Sequence, residues 1–134
     1  MSAENVAIIR SIYSAFATGD IPAVVSALSA DVVWNEAENF PYADGNPYVG
    51  PDAVLGGVFA RLGSEWDGFG AHMPTFIDGG DQVITTGRYV GTCRATGKAM
   101  DAQALHLWTL KDGKVVAFQQ YVDTLAVARA VGQA

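Results

Sequence analysis

Cysteine is almost missing from this sequence. Cys93 stands alone among 134 residues, so no disulfide can form within the chain. Histidine is nearly as scarce: His72 and His106 offer no zinc-ligand spacing, and neither a metal nor another cofactor is expected. Basic residues are few, with Lys+Arg of 8 against Asp+Glu of 14 and a net charge of -6. No basic cluster offsets that balance, so nucleic acid is not an expected partner. Apolar runs reach only a few residues, far below the roughly 20 of a membrane-crossing helix. The opening Met1-Ser2-Ala3-Glu4-Asn5 has neither the basic start nor the apolar core of a secretory signal. The expectation is a soluble, acidic, cytoplasmic protein.

What is present is globular. Half of the residues are hydrophobic and 16% are charged, enough for one core and one domain spanning 1–134. Val6, Ile9, Tyr13 and Phe16 recur at helical spacing from about Ala3 to Thr18. Gly19 closes that helix, and Asp20 caps a second one carrying Val24, Val25 and Leu28. Ser29-Ala30-Asp31 reads as a turn and Val32-Val33-Trp34 as a short strand. A loop rich in aromatics follows to Gly50, then a helix with Val54, Leu55, Val58, Phe59 and Leu62 inward. Four strands complete the pattern: about Ala71 to Asp78, Gln82 to Thr92, Ala99 to Leu110 and Val115 to Thr124. Gly79-Gly80 and Asp112-Gly113 are tight-turn signals between them. Helices first and an antiparallel meander afterwards predict an α+β fold, a cone of helices on a curved sheet enclosing a pocket.

Four segments carry a resemblance over essentially the whole chain. They are Tyr13-Ser14-Ala15-Phe16-Ala17-Thr18-Gly19-Asp20, Gly50-Pro51-Asp52-Ala53-Val54, His106 through Val115, and Phe118 through Thr124. Together they resemble the SnoaL-like branch of the NTF2-like superfamily, which includes ketosteroid isomerases, polyketide cyclases and limonene epoxide hydrolase. The resemblance implies the cone fold and a cofactor-free chemistry; which reaction is a question of residues. The isomerase base falls on Glu36. Its first-helix tyrosine falls near Tyr13, on Ile12 in an ungapped match, and its second oxyanion donor falls on Leu105. Leucine donates no hydrogen bond, so that oxyanion hole is at best half present and steroid isomerisation is not expected. The epoxide hydrolase arginine falls on Arg88, but its carboxylate partners fall on Val90 and Gln120. The cyclase aspartate also falls on Gln120, with Asp123 able to substitute only through a bulge.

Strand alternation then sorts candidates by face. With the resemblance, Gln103, Leu105, Phe118 and Gln120 are expected to line the cavity. His106, Trp108 and Tyr121 are expected on the outer face, covered by a second copy of the chain. Glu36 is the candidate general base or a solvated carboxylate, with Glu38 close by as an equal candidate. His106 is an acid–base candidate or a structural histidine, and Asp123 a proton shuttle or a helix cap. Arg88 either pairs with a carboxylate in the cavity or snorkels to its rim. Tyr13, Trp34, Phe59 and Gln120 are candidate substrate contacts. Phe40, Tyr42 and Tyr48 read as core or pocket wall, His72 as surface. The preferred expectation is a proton-transfer enzyme acting on a small apolar carbonyl or polyketide-like molecule. The competing ones are a non-catalytic binder of a hydrophobic metabolite and, behind it, a purely structural dimer.

Overall fold

The computed structural model describes residues 2–134. Helix α1 (Ser2–Ala17) ends at Gly19, whose φ of 77° suits glycine. The Asp20 carboxylate accepts from the Ala23 N–H at 3.2 Å and so caps α2 (Ile21–Ser26). Strand β1 (Leu28–Asn35) follows, then a 3₁₀ turn at Pro41–Gly45 and the two-residue β2 (Tyr48–Val49). A helical stretch comprises α3 (Pro51–Val54), a π turn (Leu55–Phe59) and α4 (Ala60–Glu65). The sheet continues with β3 (Trp66–Asp78), β4 (Gln82–Cys93), β5 (Ala99–Lys111) and β6 (Lys114–Val122), and α5 (Thr124–Val131) closes the chain.

The six strands form one curved sheet in the order β2-β1-β6-β5-β4-β3, with β1 parallel to β6 and the other pairs antiparallel. Helix α1 lies against β3 and β4 on the concave side. Ile9 and Ile12 of α1, Val24 of α2 and Val54, Val58 and Leu62 of the middle helix are buried there against the inner faces of the strands. No helix among the described residues is long and apolar enough to cross a membrane.

Two boundaries differ from expectation. β1 starts at Leu28, because the Ser29–Asp31 region lies within the strand as an irregularity in its pairing with β6. β3 starts at Trp66, with register shifts between Asp67 and Gly70 and between His72 and Thr75. Glycines and Pro74 mask a strand in sequence, yet bulged edge strands tolerate both.

The register of β5 on β6 decides what faces inward. Asp112 and Gly113 turn the hairpin with φ of 51° and 77°, as a two-residue turn of this kind requires. Counted straight out from that turn, Leu105 opposes Gln120. The pairing instead shifts between Thr109 and Leu110: Leu110 pairs with Val115, but Thr109 pairs with Ala117. Val116 is the extra residue, and every later pair moves by one. Leu105 therefore opposes Tyr121, while His106 opposes Gln120 and Trp108 opposes Phe118. The expected inward positions of Gln103 and Leu105 are overturned, and so are the expected outward positions of His106 and Trp108. A one-residue slip exchanges the faces of a strand.

Candidate functional site

On the concave side the helices and sheet leave a narrow cavity. Its lining includes Tyr13 of α1, Trp34 of β1, Glu36, Phe59, Phe69 of β3, Tyr89 of β4, His106 and Trp108 of β5, and Phe118 and Gln120 of β6. The centre of a water molecule can range over about 50 Å³ within it. That is room for a few waters. The wall is aromatic: Trp34 stacks on Phe118 with ring centroids 3.8 Å apart, and Trp108 meets Phe118 edge-on at 4.6 Å. These three rings come from neighbouring strands, at paired positions in the sheet.

Glu36 lies just beyond β1, two residues after Trp34 and on the same side. It is 3% exposed. The indole Nε1–H of Trp34 donates to its carboxylate at 3.2 Å. The Asn46 side chain fixes its backbone from both sides, accepting from the Glu36 N–H at 2.9 Å and donating to the Glu36 carbonyl at 2.8 Å. Burial raises the carboxyl to about 7, against a lesser downward pull from the Trp34 hydrogen bond. A carboxylic acid poised near neutrality in an apolar site has the properties of a general base.

The remaining polar groups form one chain of hydrogen bonds. The Ala37 N–H donates to Gln120 Oε1 at 3.0 Å, and Gln120 Nε2 donates to the Tyr89 hydroxyl at 2.9 Å. Tyr89 is bonded to His106 Nε2. His106 Nδ1 lies 2.5 Å from the Tyr13 hydroxyl, which also sits 2.6 Å from Thr85 Oγ1 and accepts from Trp108 Nε1 at 3.0 Å. Burial lowers His106 to about 3, so its imidazole is neutral at physiological pH. Burial likewise pushes the phenols of Tyr13 and Tyr89 above the usual tyrosine range.

Several candidates lie elsewhere. Arg88 points outward and forms an exposed ion pair with Asp101 at 2.6 Å, because its alternate neighbours Thr85, Gly87 and Tyr89 take the inner face of β4. Gln103 and Leu105 border an outer groove with Tyr121. Asp123 caps α5, accepting from the Ala126 N–H at 3.2 Å, and so takes the cap role of its two expected ones. Glu38 is exposed, as is His72. Tyr13, Trp34, Phe59, Phe118 and Gln120 all line the cavity. Tyr89 and Thr85 escaped the sequence reading, although the alternation Thr85-Gly87-Tyr89 opposite Arg88 carried the signal. The inward side chain beside Leu105 is His106, whose two ring nitrogens are both engaged, by Tyr13 and by Tyr89. Among the described residues no three His, Cys, Asp or Glu side chains converge as metal ligands would.

The comparisons agree with this fold. A family model described as "SnoaL-like domain" matches residues 9–118. An NTF2-like protein from Burkholderia thailandensis is 38% identical, with a TM-score of 0.90 over 94% of this chain and 95% of the other. An NTF2-like protein of unknown function from Burkholderia pseudomallei is 26% identical, with a TM-score of 0.87 over 96% and 97%. TerC, co-crystallised with polyporic acid, is 25% identical, with a TM-score of 0.85 over 96% and 98%. No curated protein matches the chain.

Proposed function

The chain belongs to the SnoaL-like domain family, and from that premise we propose that it is a cofactor-free proton-transfer enzyme acting on a small carbonyl compound. Glu36 is the general base. It takes an α-hydrogen as a proton, the C–H electron pair delocalises onto the carbonyl oxygen, and the protonated carboxyl returns the proton to carbon. The observation that carries this reading is a buried carboxyl near pH 7 in an aromatic cavity. The crystallisation of TerC with polyporic acid supports an organic ligand for this fold. The cavity is well short of the roughly 150 Å³ in which an engineered apolar cavity holds benzene, so a ring-bearing substrate needs the wall to move. The π turn at Leu55–Phe59, which carries Val58 and Phe59 into the wall and contains Gly56 and Gly57, is the element suited to yield.

The test is solvent deuterium exchange into a panel of small enolisable ketones, comparing wild type with Glu36→Gln. Exchange should be catalysed by the wild type and fall by about 10² to 10⁴ in the variant. Exchange unaffected by the substitution clears Glu36 of the role. Ketones that bind without exchanging point to the binding-module reading instead.

A second copy of the chain is the proposed partner. The outer groove is bordered by half-buried Leu105 and by Tyr121, which is 53% exposed, and apolar side chains grouped on a sheet face suit a covered interface. A monomeric mass by light scattering at micromolar concentration would remove this proposal.

A further inference from the structure

We propose that Tyr89 is a second catalytic residue of this cavity: with His106 in its Nε2–H tautomer, the Tyr89 hydroxyl donates a hydrogen bond to the oxyanion that forms on the bound carbonyl compound. The inference rests on the carbonyl reading and adds to it a donor and a switch.

The argument is one of proton counting. Two donors in the network cannot reverse. Gln120 is held with Oε1 on the Ala37 N–H, so its amide nitrogen must face Tyr89. Trp108 Nε1 has only a proton to offer Tyr13. A neutral His106 supplies one donor and one acceptor, which leaves two self-consistent arrangements. In the first, Nδ1–H donates to Tyr13, Tyr13 donates to Thr85, and Tyr89 donates to Nε2. Every group is then paired except the Thr85 hydroxyl proton, for which no acceptor exists among the described residues. In the second, Thr85 donates to Tyr13, Tyr13 donates to Nδ1, and Nε2–H donates to the Tyr89 oxygen. That oxygen now receives two hydrogen bonds, from His106 and Gln120, and its own proton is the unpaired one.

The two arrangements contain the same protons and leave every heavy atom in place. Each leaves one hydroxyl without a protein partner, so the protein by itself favours neither strongly. A ligand oxygen breaks the tie. Tyr89 lines the cavity, whereas Thr85 does not, so the ligand can complete only the second arrangement. Glu36 is close enough for its charge to act on Tyr89. Base and oxyanion donor therefore border one space, as enolisation requires.

The experiment follows the His106 tautomer by two-bond ¹H–¹⁵N correlation in histidine-labelled protein, with and without fluorinated phenols whose ionised oxygen mimics an enolate. Saturation should shift His106 towards Nε2–H. In Tyr89→Phe the shift should vanish, and ketone deuterium exchange should fall by about 10² to 10³. A tautomer unchanged at saturation, phenols that leave the His106 resonances unmoved, or wild-type exchange in Tyr89→Phe would each overturn the proposal. The wild-type titration decides even where the variant fails to fold. Glu36→Gln should still switch, so failure of the base and failure of the donor are separable.

Discussion

His106 and Gln120, directly opposed on β5 and β6, are joined through a single hydroxyl, that of Tyr89. The bulge at Val116 turns both inward, towards the cavity that Glu36 also lines. Acidic and hydrogen-bonding groups thus share a space walled by aromatic rings, where each is held in its uncharged form more strongly than in water.

The first expectation concerns the rate. A base must be ionised, and Glu36 titrates at about 7. Deuterium exchange at subsaturating ketone should therefore rise tenfold per pH unit below about 6 and level off above about 8. His106, lowered to about 3, should add no second inflection between pH 5 and 9. A profile with its midpoint near 4.5 would mean that the carboxyl titrates as if in water.

Trp34 sets where that midpoint lies. Its indole N–H stabilises the ionised carboxylate, so Trp34→Phe removes the downward pull and leaves burial unopposed. The midpoint of the exchange profile should move to higher pH, with the plateau rate largely retained. A shift to lower pH would show that water, and not burial, takes over at the site.

These groups were unequally legible in the sequence. The α1 stripe, the Asp20 cap, the Asp112-Gly113 turn and the Asp123 cap depend on neighbours a few positions away, and all of them could be read locally. Glu36 is legible through the resemblance, which puts the isomerase base just after the first strand. The inner face of β5 is not, because it depends on Val116, a single extra residue whose presence in one strand becomes apparent only against its partner. Tyr89 carries no chemical signal of its own in the sequence; only the outward charge of Arg88 beside it implies that it faces inward.

Stability should carry the signature of both buried acids, with opposite signs. Glu36 has a raised pKa in the folded chain, so the folded state binds more protons than the unfolded between about 4.5 and 7, and its contribution is lost as pH rises through that window. His106 has a lowered pKa, so the unfolded state binds more protons between about 3 and 6.5, and its contribution is lost as pH falls. In urea unfolding, Glu36→Gln should gain about 3 kcal/mol on the wild type between pH 4 and pH 8. His106→Gln should instead flatten the wild-type decline below pH 4.5, where the histidine acts unopposed. Parallel pH curves for wild type and Glu36→Gln would mean that the carboxyl is not buried in the folded protein.

Asn46 should act on the position of the base without touching its chemistry. Both of its hydrogen bonds go to the Glu36 backbone. Asn46→Ala leaves that N–H and carbonyl unpaired, at a cost of about 1 to 3 kcal/mol in stability. Deuterium exchange at saturating ketone should fall while the pH midpoint stays near 7, because the carboxyl keeps Trp34 and its apolar surroundings. A midpoint moving with the rate would assign Asn46 an electrostatic role instead.

Two glycines test how tightly the sheet folds over its own inner face. A Cβ at Gly87 would lie 1.8 Å from the His72 carbonyl oxygen, beside the register shift where β3 bends across β4. Backbone on both sides leaves nothing to rotate away, so Gly87→Ala should cost about 3 kcal/mol or more. Gly63, in α4, has open space where its Cβ would stand, and Gly63→Ala should add about 0.5 to 1 kcal/mol through reduced freedom of the unfolded chain. Urea unfolding of the pair separates steric crowding from propensity, since both exchange the same atoms. A Gly87→Ala protein as stable as the wild type would require β3 to approach β4 less closely at His72.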